Sequence, residues 1–480
     1  NRIVSMTLGK NTGEGQQLLD PCFNEFKSYL FYSYFGSQLS ERAPDEFVLR
    51  RGLTSYGSHL LTRNTYAVYS FLRRYFETHN KTLSFFIIIP FSHSANGDIS
   101  PLSNPVSRSS ADLLVHYSAA VREELAYMFS SLPPDKRVGP VVIGGGDALT
   151  LSCAGLKAIL ESIRIRVTGS LSSVVVETTP YEVCRTVSRK KLALLRQYGV
   201  ERISLRFHDF HSAILAVLGA GYTGEKVCRA IEIIRRHGFK YIDFDIRCVP
   251  EAYDSPRQIN TTLAGIECYA PNSIRLYPVR YPFLPRIHKG AACQEEHGVL
   301  KELNTSLLEM GYRRTGVCYM KNEEEDPAEQ NPLVKKMIVC GDWFSCGVYG
   351  CSLIGNRGFS NAKGVPAYMA CIGHEKLPIV SFTEFGAEMN AAKYIIRSIV
   401  VSKHIDMKAF YSRFQIGFDT LFFESSRILL SSNILQRKDD RLVLTDDNLS
   451  SEICALNCLC HKLSTRQGGK PLYSHTAEPF

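Results

Sequence analysis

Residues 85–100 read FFIIIPFSHSANGDIS, and the fold turns on how they are read. Phe85 to Ile89 is an aromatic and aliphatic run closed by Pro90. A run of this length, ended by a proline, is a buried strand. The residues that follow are mostly small and polar and form a loop. FFIII is too short to cross a membrane. The chain has no run of about 18 apolar residues, so no membrane span is expected.

Downstream, strand-like runs alternate with segments of helical period as far as about residue 285. Strands are expected over Val138–Ile143, Ser173–Val176, Val200–Phe207, Tyr241–Ile246 and Ser273–Val279. Helices are expected over Ser110–Leu132, Ala154–Ile165, Ser188–Tyr198, Glu225–His237 and Ile259–Cys268, with Gly199 and Gly238 as stops. Repeated strand–helix units make a parallel sheet with right-handed crossovers. Six units fall short of a closed eight-unit barrel. The fold class is therefore α/β, an open, partial (β/α)6 barrel over residues 81–290. An aromatic-rich extension, residues 1–80, precedes it. Within that extension Pro21 to Gln38 has the spacing of an amphipathic helix packed on the main domain. An accessory α/β segment is expected over residues 291–385, with a helix from Glu296 to Met310 and a solvated acidic loop NEEEDPAEQNP. Residues 386–463 read as a helical, winged-helix-like domain and residues 464–480 as an extended tail.

At 480 residues, 45% apolar and 21% charged, the composition is that of an ordinary globular protein with two or three domains. Fifty-six Lys and Arg against 47 Asp and Glu give +9, compatible with an acidic partner such as RNA and equally with a plain soluble protein. Fifteen cysteines, an odd count with no C-x-x-C, indicate reduced thiols in an intracellular compartment, the mitochondrial matrix or the cytoplasm. Two thiol groups invite a metal reading. Cys454 and Cys458 share a helix face but Cys460, beside His461, points away from it. Cys340, Cys346 and Cys351 lack a fourth ligand. Buried thiols are the simpler reading of both.

The ordered segments IGGGDALT (143–150), VVVETTP (174–180), YGVERISLRFHDF (198–210), Leu215–Ile231, YIDFDIRCVP (241–250) and SIRLYP (273–278) resemble one family. It is that of the oxygen-independent coproporphyrinogen III oxidases and their relatives among the radical S-adenosylmethionine (SAM) enzymes. The resemblance covers about residues 80–460. It implies a loop P-F-C-x-x-x-C-x-x-C whose three thiolates hold a [4Fe–4S] cluster, with SAM on the open iron. Here Pro90-Phe91 keep the frame, but the cysteine positions fall on Ser92, Asn96 and Ile99, none of which replaces a thiolate on iron. The family's SAM contacts fall on Gly144, Gly145 and Gly146, on Glu177, and on His208 in place of a Gln. Asp147 brings a carboxylate into the Gly-rich turn. Arg206 replaces a small Gly and would project a cation where the pocket needs space. The SAM-binding Arg falls on Ala220, the neighbouring His on Tyr222, and the ligand Asp on Phe244, flanked by Asp243 and Asp245.

Scaffold kept and chemistry removed imply a catalytically inactive protein retained as a binding or structural subunit. No catalytic residue, metal or cofactor is expected. Gly144, Gly145, Gly146, Glu177 and His208 would be a vestigial SAM pocket. An organellar assembly such as a mitochondrial ribosome or respiratory complex would suit the basic balance, with protein subunits or RNA as partners. The alternative is a repurposed cavity that binds SAM without a cluster, or binds haem through His93, His208 or a cysteine.

Overall fold

All six expected strands are present in the computed structural model. It describes most of residues 68–459. Residues 1–67, 94–103, 106–110, 279–291, 322–341 and 460–480 lie outside that description, with a few shorter gaps. Asn96, Ile99, the Pro21–Gln38 segment, the acidic loop, the tail, Cys340, Cys454, Cys460 and His461 are therefore not described.

The six strands are β1 Leu83–Ile89, β2 Val138–Gly145, β3 Val174–Thr178, β4 Arg202–Phe207, β5 Tyr241–Cys248 and β6 Ser273–Pro278. They pair in chain order, and every pairing is parallel. The crossovers carry α1 Ala111–Ser130, α2 Cys153–Arg164, α3 Pro180–Val183, α4 Ser188–Gln197, α5 Ser212–Val217, α6 Gly224–Arg236 and α7 Pro256–Tyr269. Local chemistry sets several of these boundaries. Ser152 and Thr179 cap α2 and α3 by accepting from Gly155 N and Glu182 N. Gly199 and Gly238 follow α4 and α6 at φ +85° and +76°, a conformation that disfavours side chains.

Strand period two divides the residues between two faces. Ile203, Leu205 and Phe207 of β4, Ile242, Phe244 and Ile246 of β5, and Ile274 and Leu276 of β6 join the large core shared with the helices. Each such side chain contributes about 1.5–3 kcal/mol by leaving water. Their neighbours Arg202, Ser204, Arg206, Asp243, Asp245, Ser273 and Arg275 are also buried, on the opposite, inner face.

The accessory segment extends this sheet at both ends, a placement the sequence left open. α8 Ala292–Glu309 leads to β7 Tyr312–Thr315 and β8 Cys318–Lys321, which lie antiparallel beyond β6. β9 Trp343–Cys346 runs parallel to β1 on its outer side, and β10 Cys351–Ile354, β11 Arg357–Asn361 and β12 Ile379–Glu384 follow antiparallel. Among the described residues the sheet has 12 strands. Glu124 of α1 fixes the β9 end to the barrel. Its buried carboxylate accepts from Gly347 N (2.7 Å), Asn361 Nδ2 (2.8 Å) and the O–H of Tyr368 (2.6 Å) in α9 Val365–Gly373. Burial raises this carboxyl to about 7, with the three donors opposing.

Beyond Ala387 come α10 Ala387–Arg397, a π turn at Ser398–Ser402, α11 Met407–Phe414 and α12 Phe418–Ser431. The region expected to be helical also carries a three-stranded sheet, β13 His404–Asp406, β14 Leu435–Lys438 and β15 Arg441–Leu444, in the order β13-β15-β14. LQRK of β14 is largely exposed and lacks an apolar run, so no strand pattern marks it in the sequence. Phe410, Phe414, Phe418 and Phe422 form a core with Ile395 and Ile399, joined by Ile214, Leu218 and Trp343 from the barrel side. Buried Glu452 adds a polar tie, accepting from Arg314 Nη2 (2.8 Å) and Lys403 Nζ. Among the described residues no helix is long and apolar enough to cross a membrane.

Candidate functional site: the inner face and strand ends of the barrel

The Gly-rich turn at the end of β2 approaches its neighbours more closely than any side chain would allow. A Cβ on Gly144 would lie 2.1 Å from Glu177 Oε2, and one on Gly146 would lie 2.5 Å from the Ile89 carbonyl oxygen. The N–H groups of the turn are used internally. Gly145 N donates to Glu177 Oε2 (2.9 Å), Gly146 N to Ile89 O (2.8 Å) and Asp147 N to Phe91 O (2.8 Å). Asp147 is spent on structure too. Its carboxylate accepts from Leu149 N, Thr178 Oγ1, Thr179 N and Thr179 Oγ1 at 2.7–2.9 Å, stitching the turn to the end of β3. Burial, with nearby Glu182, pushes this carboxyl up to about 7.

Glu177 leads into an ion lattice on the inner face. Arg206 Nη2 meets Glu177 Oε2 at 2.5 Å, and Arg206 Nε meets Asp245 Oδ2 at 3.0 Å. Arg275 Nη2 donates to Glu177 Oε1 (3.1 Å), Asp245 Oδ2 (3.1 Å) and Ser204 Oγ (2.9 Å). Arg206 Nη1 reaches back to the Gly145 and Gly146 carbonyls at 3.3 and 3.1 Å. The four charged side chains are each at most 5% exposed. Strand register explains the arrangement. Arg206, Asp245 and Arg275 are successive Cα partners across β4, β5 and β6, and Glu177 pairs with Ser204. Opposite charges therefore stand side by side on one face. Burial alone would raise the Glu177 carboxyl, but the guanidiniums of Arg206 and Arg275 outweigh it and hold the group at about 2. Arg206 in turn is raised above the ordinary guanidinium range, its burial outweighed by Glu177 and Asp245. One row away, Asp243 Oδ1 accepts from Arg202 (2.7 Å) and Ser273 (2.8 Å).

Of the expected pocket residues, Gly144, Gly145, Gly146 and Glu177 come together here. His208 lies at the end of β4, buried, with Nδ1 3.1 Å from the Arg247 carbonyl oxygen. Ala220, Tyr222 and Phe244 are buried apolar positions. Asp209 is a structural anchor, accepting from Thr262 Oγ1, His211 N and Tyr253 O–H. Sequence reasoning missed the lattice as a unit, Arg275 above all. The signal was there as period two: R-x-S-x-R, D-x-D and S-x-R on three consecutive strands. It also missed the partners of His93, whose Nδ1 lies 2.7 Å from Glu182 Oε1, a carboxylate shared with Arg185.

These residues do not fit the cluster the resemblance implies. Ser92, buried beside Phe91 in a two-residue bridge to Asn104–Pro105, offers a hydroxyl where iron needs a thiolate. Among the described residues no group of three His, Cys, Asp or Glu could hold a metal ion. Of the sequence's metal candidates, Cys346 is buried and its thiol is pushed up by that burial.

Residues 115–246 match the radical SAM superfamily model. The chain is 22% identical over 319 residues to the heme chaperone HemW of Bacillus subtilis, covering 64% of this chain and 81% of that protein. It is 24% identical over 214 residues to the oxygen-independent coproporphyrinogen III oxidase of Paracoccus denitrificans, covering 42% of this chain and 45% of that protein. Among solved structures, coproporphyrinogen III oxidase (HemN) of Escherichia coli, a radical SAM enzyme, superposes with a TM-score of 0.68 at 18% identity, over 83% of this chain and 93% of that one. The fold is thus that of a radical SAM protein. Within that fold the chain is similar to coproporphyrinogen III oxidases and to a heme chaperone, at 18–24% identity.

Proposed function

We propose that this chain is a non-catalytic member of the coproporphyrinogen III oxidase-like family, retained as a binding or structural subunit. The observation that carries the reading is the buried Ser92 hydroxyl at the first of the three cluster positions. In such enzymes the cofactor performs the hard chemistry and the protein positions it. Without thiolates to hold the cluster, no electron reaches SAM to cleave it. Full-length protein isolated anaerobically and given SAM and a strong reductant should form no 5′-deoxyadenosine above a protein-free control. Multiple turnovers would overturn the reading. Partners of an organellar assembly, protein or RNA, agree with the surplus of nine positive charges. Recovery from native extracts only as a free monomer would count against such an assembly.

A second reading, haem binding, is supported by the similarity to a heme chaperone along 81% of its length. His93, 15% exposed beside the strand ends, is its candidate ligand. Haem titration should then give a Soret shift that saturates at one haem per chain, and an unshifted spectrum of free haem would dismiss it.

A further inference from the structure

The place where the family holds SAM is built, in this chain, largely from groups that already have partners; of the lattice's carboxylate oxygens only Asp245 Oδ1 lacks one. Glu177, the carboxylate the resemblance assigns to SAM, meets two guanidiniums and the Gly145 N–H. The N–H groups of Gly146 and Asp147 are held by carbonyls of the β1 end. Arg206, standing where the family has a glycine, spans from Asp245 to the Gly145 and Gly146 carbonyls and so lies across the turn that would face the ligand. Two carboxylates and two guanidiniums balance to zero. The ammonium and carboxylate of SAM's methionyl end would have to break at least one ion pair that burial makes costly to break.

We propose that this ion lattice is a built-in replacement for the cofactor. Glu177, Arg206, Asp245 and Arg275 occupy the SAM site and clasp β2 through β6 from inside, so the barrel is complete without ligand and does not bind SAM. Each strand contributes: β2 the Gly145 carbonyl, β3 Glu177, β4 Ser204 and Arg206, β5 Asp245 and β6 Arg275. The inference deepens the non-catalytic reading and fails separately from it.

Two measurements on the unmodified full chain test it. In equilibrium dialysis with labelled SAM, no saturable binding up to about 1 mM is expected, a limit that corresponds to about −4 kcal/mol. One SAM retained per chain overturns the proposal. In proton–nitrogen spectra of arginine side chains, the Arg206 Nε–H, donating to buried Asp245, should exchange with solvent at least a hundredfold more slowly than exposed arginines such as Arg229. Exchange at the exposed rate overturns it as well. A chain with no iron that binds SAM refutes the lattice and leaves the non-catalytic reading standing. A chain that carries a cluster and makes 5′-deoxyadenosine refutes that reading, whatever the dialysis shows.

Discussion

Replacing Arg206 by Met removes a charge from the lattice while keeping most of the side chain's bulk. Glu177 Oε2 and Asp245 Oδ2 lose their 2.5 and 3.0 Å partners, and the Gly145 and Gly146 carbonyls lose a donor. The lattice is left with two carboxylates and one guanidinium, a buried net charge of −1. Breaking a buried pair from one side costs about 3–5 kcal/mol. Glu177→Gln breaks the same lattice from the other side, leaving +1, at a similar cost. The double variant restores neutrality, because Arg275 and Asp245 still face each other at 3.1 Å. It should therefore lie within about 1–2 kcal/mol of either single variant, and not at the sum of about 6–10 kcal/mol. Urea unfolding followed by the fluorescence of Trp343 reads this directly. Trp343 is the chain's single tryptophan, buried on β9 beside β1. Losses that add within about 0.5 kcal/mol would mean the two residues act independently, and the lattice reasoning would be refuted.

Other expectations follow from the same contacts. Glu177 is held at about 2, below its unfolded value, so its stabilisation is full above about pH 4.5 and disappears as pH falls toward 2. Over that span the loss is about 3 kcal/mol, and Glu177→Gln should flatten the acid limb of a stability–pH profile. Glu124 is displaced the other way, raised to about 7 chiefly by burial, so its contribution is full below about pH 4.5 and fades as pH rises to 7. Glu124→Gln should remove most of that decline in unfolding midpoints measured from pH 5 to 7, and an unchanged slope would place the effect elsewhere. Gly144→Ala would push a methyl to within 2.1–2.6 Å of the Glu177 side chain, so it should lower stability by about 3 kcal/mol. A midpoint equal to that of the unmodified chain would show that the carboxylate can yield.

The parallel core was legible because its strands are apolar runs and its helices keep period 3.6. FFIII, VVI and SIRLYP each sit on an observed strand. What escaped were short elements without an apolar run, such as β14, and strands supplied from distant sequence, such as β9, which pairs with β1 across some 260 residues. At the candidate site the glycines and Glu177 were legible through motif resemblance. The consequence of Arg206 was legible only in part, since its cation was evident but its counter-charges were not. Asp245 becomes its partner, and Arg275 joins through the shared carboxylates, solely by the register of β4, β5 and β6, which no single-strand pattern specifies. Asp147 looked like an intrusion in a ligand turn. In the fold its four donors make it part of the turn's own structure.

The most direct test of the non-catalytic reading is iron and acid-labile sulfide content, with a visible spectrum, on full-length protein isolated anaerobically. A colourless protein with no stoichiometric iron or sulfide is expected. About four irons and four sulfides per chain, with the broad visible absorption of a [4Fe–4S] centre, would contradict it and would mean that other cysteines of this chain hold a working cluster.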